Sequence, residues 1–376
     1  MRERSLRGRP GLASGVLVLA LGACGPSRLQ PLPPGATATS PAAGLGRSVV
    51  AAHGALTYAV AFADPDVLAA VELSTEFALV VRELGDAPRI RHRIALGPPD
   101  FDVGDLAVDR TRQEAWIASR DGTVRSYALD SGAPGLTWHL GSPATAVAIS
   151  ADGALVAMGT DDGIVCLRRR HDSALLQCVV AHEAPIAALD FAPARLASAA
   201  WDGTVIVWEV PSLAIAARVR LEGSVNDVAF APGGQRLALA RSSAPPVRTP
   251  SRASPAPPAG ATEALVSLWH VHERTWRHLR GHDGVVTSVA WIGDGRGLVS
   301  ASWDHTVRLW DTQSNIPVAR HTGFSGLVRD VAVDSRGAWV AAGAWSDAGR
   351  LQESTATALI ELLYRTRSHS TMRAGD

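Results

Sequence analysis

The chain has 376 residues, 47% of them hydrophobic and 19% charged, which is ample material for a core. It is long enough for two or three average domains, although repeat architectures and large all-β folds reach this length as one unit. Basic and acidic residues balance at 36 each, and every basic residue is an Arg, so no overall field steers the chain toward nucleic acid.

Arg2, Arg4, Arg7 and Arg9 precede a short apolar run from Gly11 to Leu21. That run is too short to span a bilayer, which needs roughly 20 apolar residues, but it fits the apolar region of a signal peptide. It ends in Leu21-Gly22-Ala23-Cys24, which resembles the lipobox of bacterial lipoproteins. The resemblance implies a signal peptide over 1–23, lipid on Cys24 and anchoring in the bacterial cell envelope. With Gly25 rather than Asp after the Cys, it implies the outer membrane rather than the inner. Residues 24–46 carry Pro, Gly, Ala, Ser and Thr with almost no large apolar side chain and are expected to be a flexible tether. Its reach, by Gaussian-chain arithmetic, is roughly 25 Å.

From residue 48 a unit of four short apolar runs recurs. Its first run reads AVAF at 59–62, DLAV at 105–108, AVAI at 146–149, ALDF at 188–191, DVAF at 227–230, SVAW at 288–291 and DVAV at 330–333. Five of the six intervals lie between 39 and 46 residues, the period of a four-stranded propeller blade. Asp-Gly pairs between runs mark hairpin turns.

Residues 198–209 read SAAWDGTVIVWE and residues 300–311 read SASWDHTVRLWD, the latter downstream of Gly281-His282. These stretches resemble the WD40 repeat family. The resemblance implies an all-β, seven-bladed β-propeller of four-stranded antiparallel blades over 47–366, followed by a disordered tail at 367–376; six or eight blades also fit the spacing. It implies closure of the last blade by an N-terminal strand around Arg47 to Ala51. In each well-formed blade it implies a hydrogen-bonded set: His282, Ser300, Asp304 and Trp310 in blade 6, and His182, Ser198, Asp202 and Trp208 in blade 4. Asp121 and Asp162 keep the turn position in blades 2 and 3, where Tyr127 and Arg168 replace the Trp. These residues are architectural in the family.

Departures from the repeat are where function is expected. The fifth unit is lengthened by a loop at 242–262 containing six prolines, either a partner-binding arm or a tolerated surface insertion. The residue before the turn Asp points to the b–c/d–a loop face in the family. Trp201, Trp303 and Trp345 hold that place in blades 4, 6 and 7, with Arg120 and Asp161 in blades 2 and 3. The tryptophans are candidate partner anchors; packing on a neighbouring blade is the other reading. Cys166 and Cys178 fall opposite each other on strands c and d of blade 3, and a disulfide is expected. His270, His272 and His278 lie close in sequence without a Cys or carboxylate at a metal-binding spacing, so no metal site is assigned. No catalytic motif is found and no cofactor is implied. The reading is a monomeric, lipid-anchored interaction scaffold that binds other proteins and no nucleic acid; a ligand-binding or hydrolytic site in the central channel is the alternative.

Overall fold

The four apolar runs of a unit become four antiparallel strands, labelled a to d from the centre outward, in a computed structural model that describes residues 44–53, 55–84, 88–98, 102–242, 265–345 and 355–363. The expected signal peptide, Cys24, residues 25–43 of the tether, the Pro-rich stretch at 243–262 and the tail at 367–376 lie outside the described residues.

Seven four-stranded sheets are present among the described residues. Six are runs of four consecutive strands, such as blade 6, with Val286–Trp291, Gly297–Ser302, Thr306–Asp311 and Ile316–His321. The seventh draws on both ends of the chain: Gly44–His53 pairs with Thr355–Leu363, which lies on Trp339–Trp345 and then Leu327–Val333. That first strand takes in residues 44–46, which sequence assigned to the tether. The innermost strands neighbour one another in a closed ring: Leu56–Asp64, Val103–Asp109, Ala144–Ile149, Ile186–Ala192, Ser224–Phe230, Val286–Trp291 and Leu327–Val333.

Burial follows position in the blade. Strand b lies between neighbouring blades on both faces, so Glu114–Ser119 and Gly297–Ser302 are buried at every residue and read as small, nearly continuous apolar runs rather than alternating ones. Strand d is the outer edge. Ala214–Arg220 is exposed over its first three residues, then alternates between half-buried and exposed side chains and carries Arg218 and Arg220 outward, a charge pattern that discourages pairing with another sheet. Trp208 and Trp310 on strand c are fully buried between blades. Each contributes on the order of 3 kcal/mol of apolar burial.

The b–c turns show why the Asp-Gly pair recurs. Gly203 sits at φ 79°, and a Cβ there would lie 2.3 Å from the Leu221 carbonyl oxygen, so both the left-handed backbone and the close approach require Gly. Blade 6 places His305 at the same turn with φ 65°. In blade 3, Cys166 and Cys178 are directly opposed across strands c and d with Cα atoms 4.1 Å apart, and a disulfide joins them. Cys166 is buried, whereas Cys178 faces solvent.

One irregularity repeats in every blade and positions the central site. Strand a carries one extra residue against strand b, a β-bulge near the b–c/d–a end. The extra residues are Tyr58, Gly104, Thr145, Ala187, Asn226, Thr287 and Arg329, and all seven line the mouth of the central channel.

Candidate partner-binding face and channel mouth

In blade 6 the turn set forms a continuous chain. Trp310 Nε1 donates to Ser300 Oγ at 2.8 Å, Ser300 pairs with His282 Nε2 at 2.7 Å, and His282 Nδ1 pairs with Asp304 Oδ2 at 2.8 Å. Burial lowers the His282 pKa and keeps the ring neutral, so Nδ1–H donates to the carboxylate and Nε2 accepts the Ser hydroxyl. Burial alone would raise the Asp304 carboxyl, but the His282 and Thr306 hydrogen bonds and the Asp283 backbone N–H hold it far below the usual range. This Ser–His–Asp order has the connectivity of a catalytic triad. It has no access: Ser300 is 0% exposed and its oxygen already accepts the Trp310 N–H. The chain is therefore a strut between strands, not a nucleophile.

Blade 4 repeats the set with one looser link. His182 Nε2 lies 2.8 Å from Ser198 Oγ and Trp208 Nε1 donates to the same oxygen at 2.9 Å, but His182 Nδ1 is 3.7 Å from Asp202. Asp202 instead accepts the backbone N–H groups of Glu183 and Thr204. Burial lowers the His182 pKa to about 4. Asp121 accepts Thr123 N at 2.9 Å, and Asp162 accepts the hydroxyls of Thr160 and Ser142, so both close their turns without a His. Tyr127 is buried at the Trp position, whereas Arg168 lies over the Trp138 ring, 5.4 Å from its centroid. The three blade 5 histidines have separate partners: Glu273 for His270, Arg195 for His272 and Ser267 for His278.

The rim residues divide. Trp201 and Trp303 are half-buried and line the channel mouth together with Arg120. Arg120 and Asp161 meet in an ion pair at 3.4 Å, and Arg120 Nε also reaches Asp102 at 3.0 Å. Trp345 is different, and the expectation of an exposed anchor there is corrected. It is only 5% exposed, with the Tyr58 ring 5.0 Å away and the Arg329 guanidinium 4.6 Å above its face. The reason is the size of its bulge neighbours. Tyr58 and Arg329 cover the indole, whereas Trp201 has only Ala187 and Asn226 at the equivalent places.

Below the rim the channel holds a group that sequence reasoning left out. Asp105, Asp190, Asp227 and Asp330 project from strand a into a cavity of about 370 Å³. Each staples its blade to the next: Asp105 accepts Val147 N at 2.9 Å, Asp190 accepts Phe230 N at 2.6 Å, Asp227 accepts Val289 N at 2.8 Å and Asp330 accepts Val60 N at 2.8 Å. Their depth inside the ring raises all four carboxyls, Asp105 and Asp190 to about 7. The signal was present in the aligned first runs, where DLAV, ALDF, DVAF and DVAV each set an Asp in an otherwise apolar inner strand.

The comparisons agree with this architecture. The family model for the WD domain, G-beta repeat, matches residues 173–209 and 273–311. These two stretches carry WD40 repeats, and the sheets form a β-propeller. Each matched stretch runs from strand d of one blade through strand c of the next, so the WD40 repeat straddles the blade boundary. Among similar proteins, nuclear distribution protein PAC1 of Komagataella phaffii is 24% identical over 172 residues, 41% of this chain and 31% of that protein. Periodic tryptophan protein 2 of Arabidopsis thaliana is 34% identical over 127 residues, 32% of this chain and 14% of that protein. WD repeat and HMG-box DNA-binding protein 1 of Homo sapiens is 26% identical over 227 residues, 58% of this chain and 19% of that protein. The chain thus spans less than a third of the length of each.

Proposed function

We propose that this WD40-repeat chain is a protein-interaction scaffold, held at a bacterial outer membrane by lipid on Cys24 and engaging its partner through the b–c/d–a face. The observation that carries the reading is the pair Trp201 and Trp303, two half-buried indoles at one mouth of the channel, two blades apart. Aromatic side chains that keep part of their surface in water beside a concave polar site are the usual anchors of protein interfaces. Binding rather than catalysis is favoured because the Ser–His–Asp chain is sealed and the channel carboxylates are engaged in stapling blades. The membrane arm rests on the sequence pattern Leu21-Gly22-Ala23-Cys24.

Metabolic labelling with an alkyne fatty acid tests the anchor. The reading expects label on the wild type and none on Cys24→Ser, together with release of that variant from the membrane fraction; label retained on Cys24→Ser contradicts it. Cross-linking pull-down with Trp201→Ala/Trp303→Ala tests the face.

A further inference from the structure

The outer edge of blade 3 is built unlike the others. Its strand d, Leu175–Val180, reads LLQCVV, with no charged residue and no Pro. The other six outer strands each carry an Arg, apart from that of blade 2, which carries Pro134 and His139. Charge and Pro keep an open edge from receiving another extended chain, and this edge lacks both. Leu175 is 52% exposed and Val180 76%, so the strand is uncovered at both ends.

The disulfide meets this edge asymmetrically. Met158 on strand b, Cys166 on strand c and Cys178 on strand d stand in one register row, with their side chains on one face of the sheet. Cys166 is buried in a cluster with Trp116, Trp138 and Met158, and Met158 stands behind it on the side away from Cys178. Cys178 is exposed, and strand d is the last of its sheet, so no strand of the sheet stands behind its sulfur. A thiolate displaces one sulfur of a disulfide from the side opposite the bond that breaks, and access decides which sulfur is attacked. That side is open at Cys178 and filled by Met158 at Cys166. The Cα atoms of the two cysteines are 4.1 Å apart, the spacing of a non-hydrogen-bonded pair. The backbone N–H and C=O of Cys178 therefore point away from strand c, toward the open edge, where an extended peptide can pair with them.

We propose that Cys178 is a thiol-exchange site, where an incoming thiol forms a mixed disulfide with Cys178 and Cys166 is the leaving group. The incoming thiolate bonds to Cys178 Sγ as the bond from Cys178 to Cys166 breaks. The electron pair stays on Cys166, and the proton given up by the incoming thiol ends there. One S–S bond is lost and one is made, so no external oxidant or reductant is consumed. Arg168, two residues along strand c and on the same face, lies over Trp138 of the cluster that encloses Cys166. A cation on that face lowers the cost of the departing thiolate. A cysteine in an extended segment of a partner and a free small thiol offer the same sulfur chemistry. The site lies on the outer edge of the ring, so it depends neither on the face of Trp201 and Trp303 nor on lipid at Cys24.

The test incubates the oxidised wild-type chain at pH 8 with excess N-acetyl-cysteine amide or, at the same thiolate concentration, with a capped pentapeptide of valine and threonine around a central cysteine. Acid quenching and peptide mass mapping then locate the adduct. The site gives adduct on Cys178 about tenfold or more above adduct on Cys166 with both thiols. Faster reaction of the pentapeptide assigns the thiol to an extended partner segment, and equal or slower reaction assigns it to a small thiol; both support exchange at Cys178. Single variants give a second reading once their far-ultraviolet spectra match wild type. The free Cys178 of Cys166→Ala reacts with a pyridyl disulfide about tenfold or more faster than the free Cys166 of Cys178→Ala. Equal adducts on the two cysteines, the mark of exchange through the unfolded chain, overturn the proposal. So does a preference for Cys166, equal reactivity of the two variants, or no adduct under conditions that exchange free cystine.

Discussion

Single side chains decide whether a polar group in this fold is strut or site. Ser300 holds two neighbours at once, accepting from Trp310 and pairing with His282, all three inaccessible to water. Ser300→Ala leaves the Trp310 N–H and the His282 ring nitrogen buried without partners, and the expected loss is about 2–4 kcal/mol by chemical denaturation. The channel carboxyls behave differently. Asp190 is raised from 3.8 to about 7, so between those values the folded chain holds a proton that the unfolded chain releases. Its effect is to lower folding stability as pH rises from about 4 to 7. His182, lowered from 6.5 to about 4, works in the opposite direction, costing stability as pH falls through that window. The two overlap in wild type, so the contribution of Asp190 is read as a difference. Between pH 5 and pH 8, wild type loses more stability than Asp190→Asn, by on the order of 1–2 kcal/mol, since the Asp190 side chain is partly exposed and screened. Equal slopes in the two proteins remove the carboxyl from the account.

At the scale of strands and turns, much of the molecule was legible. Alternation, turn residues and period placed the four runs of each unit because each obeys a local rule: small residues in strand b, polar outward positions in strand d, Gly where φ is positive. Gly203→Ala is expected to cost more than about 1 kcal/mol through left-handed strain alone, and further because of the Leu221 carbonyl. The disulfide spans 12 residues of a hairpin that is already local, so Cys166→Ser/Cys178→Ser costs about 3 kcal/mol at most and leaves the far-ultraviolet spectrum unchanged. A larger loss would mean that the outer edge of blade 3 depends on the bridge. What was not legible was the tertiary use of the bulge. The chain shows Tyr58 and Arg329 as ordinary members of two inner strands, 271 residues apart. Only ring closure brings them over Trp345, which is why three tryptophans with the same sequence offset split into two rim residues and one core residue. The inner Asp residues were visible as letters, but no local rule distinguishes a channel-facing position from a buried one.

For the molecule as a whole, ring closure turns seven bulges into one concave mouth, with aromatic side chains at its rim and carboxylates beneath. Sheets whose inner strands are stapled side to side by Asp105, Asp190, Asp227 and Asp330 make that mouth a rigid platform. Rigid, partly exposed aromatic anchors lose little conformational entropy on binding, which is the physical case for an interaction surface here. On the function proposed above, this face captures a protein partner through Trp201 and Trp303. The direct measurement is a cross-linking pull-down from the native membrane comparing wild type, Trp201→Ala/Trp303→Ala, and Ile215→Ala on the exposed outer edge of blade 4. The account predicts proteins recovered with wild type and with Ile215→Ala but lost with the Trp pair, while all three melt as folded propellers. The same proteins recovered with the folded Trp variant would contradict it.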